Sequence, residues 1–208
     1  MNISIDLFER DSVIKKRMLE ALVTEVNIAL SSSRQVIERE IRSRASSWLS
    51  SSPEIESLVS GTLRADFGLP DSMAAVAGAS IVMSILETLH IELISISTVA
   101  FKGGLLIRMQ PGDFSNLLSL PAGRFLSAKG EKIDWLNWLL TRGDDIVVAD
   151  YHVEYGSYGR TGEARMVKGN AFRVNPSFSG TLYDNFVHRA FVGKEAEIAA
   201  IIKKFLKT

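Results

Sequence analysis

The chain has 208 residues, with 24 basic and 24 acidic side chains, three histidines and no cysteine. Charge balance argues against a nucleic-acid binder that works through a broad basic face. The missing cysteine excludes a disulfide scaffold, a thiol nucleophile, an iron–sulfur cluster and thiolate-bound zinc.

Apolar residues make up 46% of the chain, enough for a real core. The stretch Met1 to Arg10 holds two acids and one base with no apolar run behind it, so no secretory leader is read there. The longest uncharged run, Ser72 to Leu86, is short for a membrane span and reads as a buried helix.

Asp11 to Ser50 contains neither glycine nor proline and predicts a long helix. At 100° per residue, Leu19, Leu22, Val23, Val26, Leu30, Ile37, Ile41 and Trp48 share one stripe. Forty residues make a rod of about 60 Å. It either bends at Ser31-Ser32-Ser33 or reaches beyond its own domain, and a projecting apolar stripe needs a partner. Ser52 and Pro53 read as N-cap and first residue of a short helix to Val59, closed by Gly61. A loop is expected up to Pro70. A helix rich in small residues then runs to about Leu89, capped by Asp71 or Ser72.

Strand patterns follow. Ile91 to Ala100 is apolar on both faces, as in a central strand. Lys102-Gly103-Gly104 turns the chain into an alternating strand, Leu105 to Gln110. Asp113 or Ser115 caps a helical turn to Leu120. Lys132 to Arg142 reads as a short aromatic helix, and Asp145 to Tyr155 as one alternating strand with Asp150, His152 and Glu154 on a single face. Met166 to Val174 predicts a hairpin around Gly169-Asn170. A last helix spans Lys194 to Leu206, docking through Ile198, Ile202, Phe205 and Leu206. The expected class is α+β: a long N-terminal helix and further helices packed on a small, mainly antiparallel sheet. Residues 1–60 form the helical segment and 61–208 the α+β core, together one structural unit.

Groups able to carry chemistry are sparse. Asp150, His152 and Glu154 are the best metal set, against the plainer reading of a solvated strand face. His90 suits a helix end, and His188 follows Asp184 by four residues. The loop Gly156-Ser157-Tyr158-Gly159-Arg160-Thr161-Gly162 lacks the Lys-Ser/Thr of a phosphate-binding loop. No Gly-x-Ser-x-Gly element is present. No catalytic residue, cofactor or metal is assigned. Arg160, Arg165, Lys168 and Arg173 make one locally basic region suited to an acidic protein partner.

Several short motifs lie between residues 60 and 190. They are Leu63-Arg64-Ala65-Asp66-Phe67-Gly68-Leu69, Gly103-Gly104-Leu105 and Trp135-Leu136-Asn137-Trp138-Leu139-Leu140. Further on come Gly159-Arg160-Thr161-Gly162 with Ala164 and Met166, then Gly180-Thr181, Asp184-Asn185-Phe186 and Arg189-Ala190. Together they resemble the neck, head–tail connector or tail-completion proteins of tailed bacteriophages. A long helix ahead of a small sheet is also similar to minor tail components of lambda-like phages. The resemblance implies a structural virion protein rather than an enzyme. It would be a ring subunit in six or twelve copies, joining portal or connector to tail terminator or tube. It would be assembled in the host cytoplasm, with DNA passing without sequence-specific binding and no membrane contact. Leu30, Ile37, Ile41 and Trp48 on the long helix, with Arg160, Arg165 and Arg173, are the expected interface residues. The competing expectation is a small intracellular metal-assisted enzyme built on the Asp150, His152 and Glu154 face.

Overall fold

The computed structural model describes residues 10–109, 111–126, 130 and 132–206. The leader reading of residues 1–9, the strand position Gln110 and the terminal Lys207 lie outside them. In chain order the helices are α1 (Asp11–Ser50), α2 (Pro53–Ser60), α3 (Thr62–Asp66), α4 (Asp71–Thr88), α5 (Ser115–Leu118), α6 (Leu136–Leu140), α7 (Phe186–Phe191) and α8 (Glu195–Leu206). The strands are β1 (His90–Ile94), β2 (Gly104–Arg108), β3 (Phe125–Leu126), β4 (Lys132–Ile133), β5 (Ile146–Val148), β6 (Tyr151–Tyr155), β7 (Ala164–Lys168) and β8 (Phe172–Arg173). The class is α+β with a long N-terminal helix. The strands form four two-stranded antiparallel ribbons, β1-β2, β3-β4, β5-β8 and β6-β7.

Two compact units draw on interleaved stretches of chain. The first takes residues up to Glu40, His90–Arg108 and the chain from Glu197; the second takes Ile41–Leu89 and Met109–Ala196. Helix α1 runs unbroken through Ser31-Ser32-Ser33 and contributes to both units.

In the first unit, Val23, Leu30 and Ile37 of α1 are buried. Ser33 donates its hydroxyl to the Phe205 carbonyl of α8 at 3.1 Å. The β1-β2 ribbon registers His90 with Arg108 and Ile94 with Gly104. Only Ile91 of β1 is fully buried, so this is no central strand. Beyond Ile94 the chain leaves the ribbon, and the Asn27 side chain takes the place of a strand partner. Its amide donates to the Ile96 carbonyl at 3.1 Å and accepts from the Ile96 N–H at 2.8 Å.

The second unit holds most of the core: Ile41, Ala45, Trp48 and Leu49 from α1, with Leu58, Leu63, Phe67, Ile81, Ile85, Trp135 and Phe186. Phe67 stacks on Trp135 at 5.1 Å. Ser52 caps α2 as its sequence suggests, accepting from the Ile55 N–H at 3.4 Å. Gly61 leads straight into α3 where a loop was expected. Pro70, not Asp71 or Ser72, precedes α4, and Asp71 pairs with Arg64 instead. Arg42 closes the other end of α4, donating to the carbonyls of Leu86 and Leu89. A cation there complements the helix dipole. Helix α4 is the described helix long and apolar enough to cross a bilayer by length and composition. Its line Ala74, Ala77, Ile81, Val82 and Ile85 is packed inside the unit.

Three further expectations are corrected here. The aromatic helix shortens to Leu136–Leu140, because Lys132–Ile133 pairs with β3. The strand Asp145 to Tyr155 breaks into β5 and β6 at Asp150, which takes φ +60°. Gly169 and Asn170 do not close a hairpin, since β7 pairs with β6 and β8 with β5. The turn carries the chain from one ribbon to another, and Gly169, at φ +138°, supplies backbone few other residues adopt.

Candidate functional site

All the resemblance motifs but Gly103-Gly104-Leu105 lie in the second unit. Arg64, a buried side chain, makes ion pairs with Asp71 and Glu163 and so ties α3 to α4 and to the loop before β7. Arg160 donates from Nε to the Gly68 carbonyl at 2.8 Å and stacks over the Phe125 ring at 5.4 Å. An added Cβ at Gly159 would lie 1.8 Å from the Ala164 carbonyl oxygen, and one at Gly180 would lie 2.0 Å from that of Leu139. Only glycine fits either contact.

Asn185 is fully buried and serves two elements. Its Oδ1 accepts from the N–H groups of Val187 and His188 at 3.2 and 3.3 Å, capping α7. Its Nδ2 donates to the carbonyls of Thr181 and Leu140 at 2.9 and 3.4 Å. Arg189 reaches Asp184, Glu54 and the Ser179 carbonyl. Its hydrogen bond holds the Asp184 carboxyl below the ordinary range. His188 adds a smaller electrostatic pull on Asp184 and meets Phe114 edge-on at 5.8 Å.

The expected interface residues divide into two groups. Leu30, Ile37, Ile41 and Trp48 are all buried within the chain. Leu19 shares the phase of Ile37 and is exposed, so burial along this stripe is set by which elements cover it and not by phase. Arg160, Arg165 and Arg173 are exposed, but each is engaged. Arg165 forks onto Glu154 at 2.8 and 2.9 Å and covers the Tyr158 ring, and Arg173 donates to the Asp144 carbonyl.

The metal set does not assemble. Asp150 is turned out of the strand, Glu154 is held by Arg165, and the His152 ring lies over Gly169. Among the described residues no group of three or more metal-binding side chains comes together. His90 opens β1, two residues past the end of α4.

Two further features stand out. One is a shallow cleft of about 320 Å³ lined by Thr62, Asp66, His152, Tyr155, Phe172 and Arg173. Within it the Tyr155 hydroxyl donates to the buried Asp66 carboxylate. Burial pushes the Asp66 carboxyl above the usual range, with the phenol bond pulling the other way. Burial also raises the Tyr155 phenol, so it stays a donor.

The other is apolar surface. On α4, Met73, Val76 and Met83 are more than half exposed, and no charge stands between Asp71 and Glu87. A groove of about 460 Å³ beside them is floored by Val59, Gly78, Ala79 and Val82. In the first unit, Met18, Leu19, Leu22 and Ile28 of α1 are exposed, although Leu19 and Leu22 belong to the stripe expected to dock.

No protein-family model, no curated protein and no solved structure matches the chain.

Proposed function

We propose that the chain is an assembly subunit that works by holding neighbouring protein subunits. In the narrower form that the resemblance supplies, it is a structural virion protein of a tailed phage. There it is a ring member at the neck or head–tail interface, with DNA passing unread through the ring. The observation that carries the broader reading is the pair of uncovered apolar helix faces, Leu19 and Leu22 on α1 and Met73, Val76 and Met83 on α4. Exposed apolar side chains in contiguous rows mark interaction surfaces. The motif residues support the same reading: Arg64, Gly159, Gly180 and Asn185 are spent on making a rigid unit. Rigid units suit a protein whose task is to present surfaces.

The test is sedimentation velocity of the full chain with negative-stain microscopy, alone and with purified portal and tail-tube proteins of a tailed phage. Closed rings, or a complex with the portal, are expected. A mass of one chain that persists in every mixture overturns the reading.

A further inference from the structure

The two uncovered faces match one another. On α1 the row Lys15, Leu19, Leu22, Val26, Ala29 advances by steps of four, three, four and three residues. On α4 the row Met73, Val76, Ser80, Met83, Glu87 advances by three, four, three and four. Both are the spacing of a coiled-coil seam. Each row covers fourteen residue steps, about 21 Å of helix. Leu22 is 57% and Met83 58% exposed, Lys15 and Glu87 are both exposed, and Val26, Ala29 and Ser80 are half-buried.

Laid antiparallel, the rows pair Lys15 with Glu87, Leu19 with Met83, Leu22 with Ser80, Val26 with Val76 and Ala29 with Met73. Small residues meet large ones at two levels, the pattern that lets facing side chains interdigitate. The one cation meets the one anion at the same end, and antiparallel helices set their dipoles in opposition. Like-with-like alternatives are poorer. Parallel α4 rows place Glu87 against Glu87, and antiparallel ones place it against Met73. Antiparallel α1 rows leave Lys15 against Ala29.

We infer that α1 of one copy docks on α4 of a second copy, with Lys15 of one facing Glu87 of the other. Such a contact is head-to-tail: each copy keeps one free α1 row and one free α4 row, so the contact repeats until it closes or runs on. The inference rests on the assembly reading above and gives that assembly its contact.

The experiment is sedimentation equilibrium of the full chain and of Leu22→Asp, Met83→Asp, Lys15→Glu, Glu87→Lys and the double charge swap. Circular dichroism confirms that each variant is folded. Each aspartate variant alone is expected to weaken self-association by at least about tenfold. A mixture of Leu22→Asp and Met83→Asp is expected to give a dimer and nothing larger, because one intact row of each kind remains. The single charge variants are expected to weaken association about two- to fivefold, and the double swap to restore it.

A wild-type chain that assembles while both aspartate variants assemble equally well overturns the inference and leaves the assembly reading standing. Loss in Leu22→Asp alone, with Met83→Asp unaffected, overturns it in favour of a symmetric α1 contact. A single-chain mass at all concentrations, or flotation on phosphatidylcholine vesicles in place of self-association, also overturns it. If portal and tail-tube proteins likewise leave that mass unchanged, the assembly reading falls too.

Discussion

Arg189 Nη1 lies 2.9 Å from Glu54 Oε1, and the Glu54 side chain is only 3% exposed. The two residues are 135 positions apart, so this pair fastens α2 to α7 across the second unit. The same guanidinium grips Asp184 and the Ser179 carbonyl, which leaves it little freedom.

Removing one partner of such a pair costs more than the pair is worth, because a buried charge is stranded. Arg189→Ala is expected to lower stability by about 3 kcal/mol. Glu54→Gln in the same chain is expected to recover part of that loss. Urea unfolding of the single and double variants measures both. Equal stability of the two would show that Glu54 is not held by Arg189.

The Asp66 and Tyr155 pair gives a pH dependence of definite sign. The folded state raises the Asp66 pKa, so it binds the proton more tightly than the unfolded chain does. Asp66 therefore favours folding most below its unfolded pKa, and that favour is lost as pH rises through the folded value. Asp66→Asn, which keeps an acceptor for the phenol, is expected to be neutral or stabilising near pH 7, and its advantage over the wild type to grow as pH rises through the folded Asp66 pKa. Tyr155→Phe removes the one described donor to a buried carboxylate and is expected to cost about 1–2 kcal/mol at neutral pH. Thermal melts across the acid range measure both, and an advantage of Asp66→Asn that shrinks as pH rises contradicts the sign.

Gly180 and Gly112 make a matched pair of tests. Alanine at Gly180 puts a Cβ 2.0 Å from the Leu139 oxygen and 2.7 Å from Asn185 Cβ, with backbone on one side that cannot swing away. About 3 kcal/mol or more of lost stability is expected. Alanine at Gly112 meets nothing within 4 Å and is expected to change stability by no more than about 0.5 kcal/mol.

Asn27 is the strand partner of Ile96 in the first unit. Asn27→Ala is expected to free the Ile96 amide to exchange and to cost about 1–2 kcal/mol locally. Amide exchange by NMR reads that position directly. Unchanged protection at Ile96 would remove the role given to Asn27.

Helix α1 was legible to the residue, because forty positions without glycine or proline keep one 3.6-residue phase. The Ser52-Pro53 start of α2 was legible for a similar reason: the signal is local. The break at Asp150 was hidden, since apolar alternation runs through Asp145 to Tyr155 and carries no mark of a left-handed residue. Strand partners were hidden too, because β6 with β7 and β5 with β8 depend on contacts made across the chain. The same holds for Asp66 and Tyr155, 89 positions apart and in no shared motif. Inward and outward turns of α1 were confounded because burial of a stripe depends on which elements return to cover it. Leu30 and Ile37 were covered; Leu19 and Leu22 were not.

The Ser33 hydroxyl and the Phe205 carbonyl that receives it are 172 positions apart. At synthesis rates of about 5–20 residues per second, α8 leaves the ribosome roughly 10–35 s after α1 does. For that interval Ser33 has no Phe205 carbonyl to bond, and the first unit lacks its C-terminal segment. The N-terminal part of α1 is therefore made long before the C-terminal segment that belongs to the same unit, so the first unit closes only at the end of synthesis.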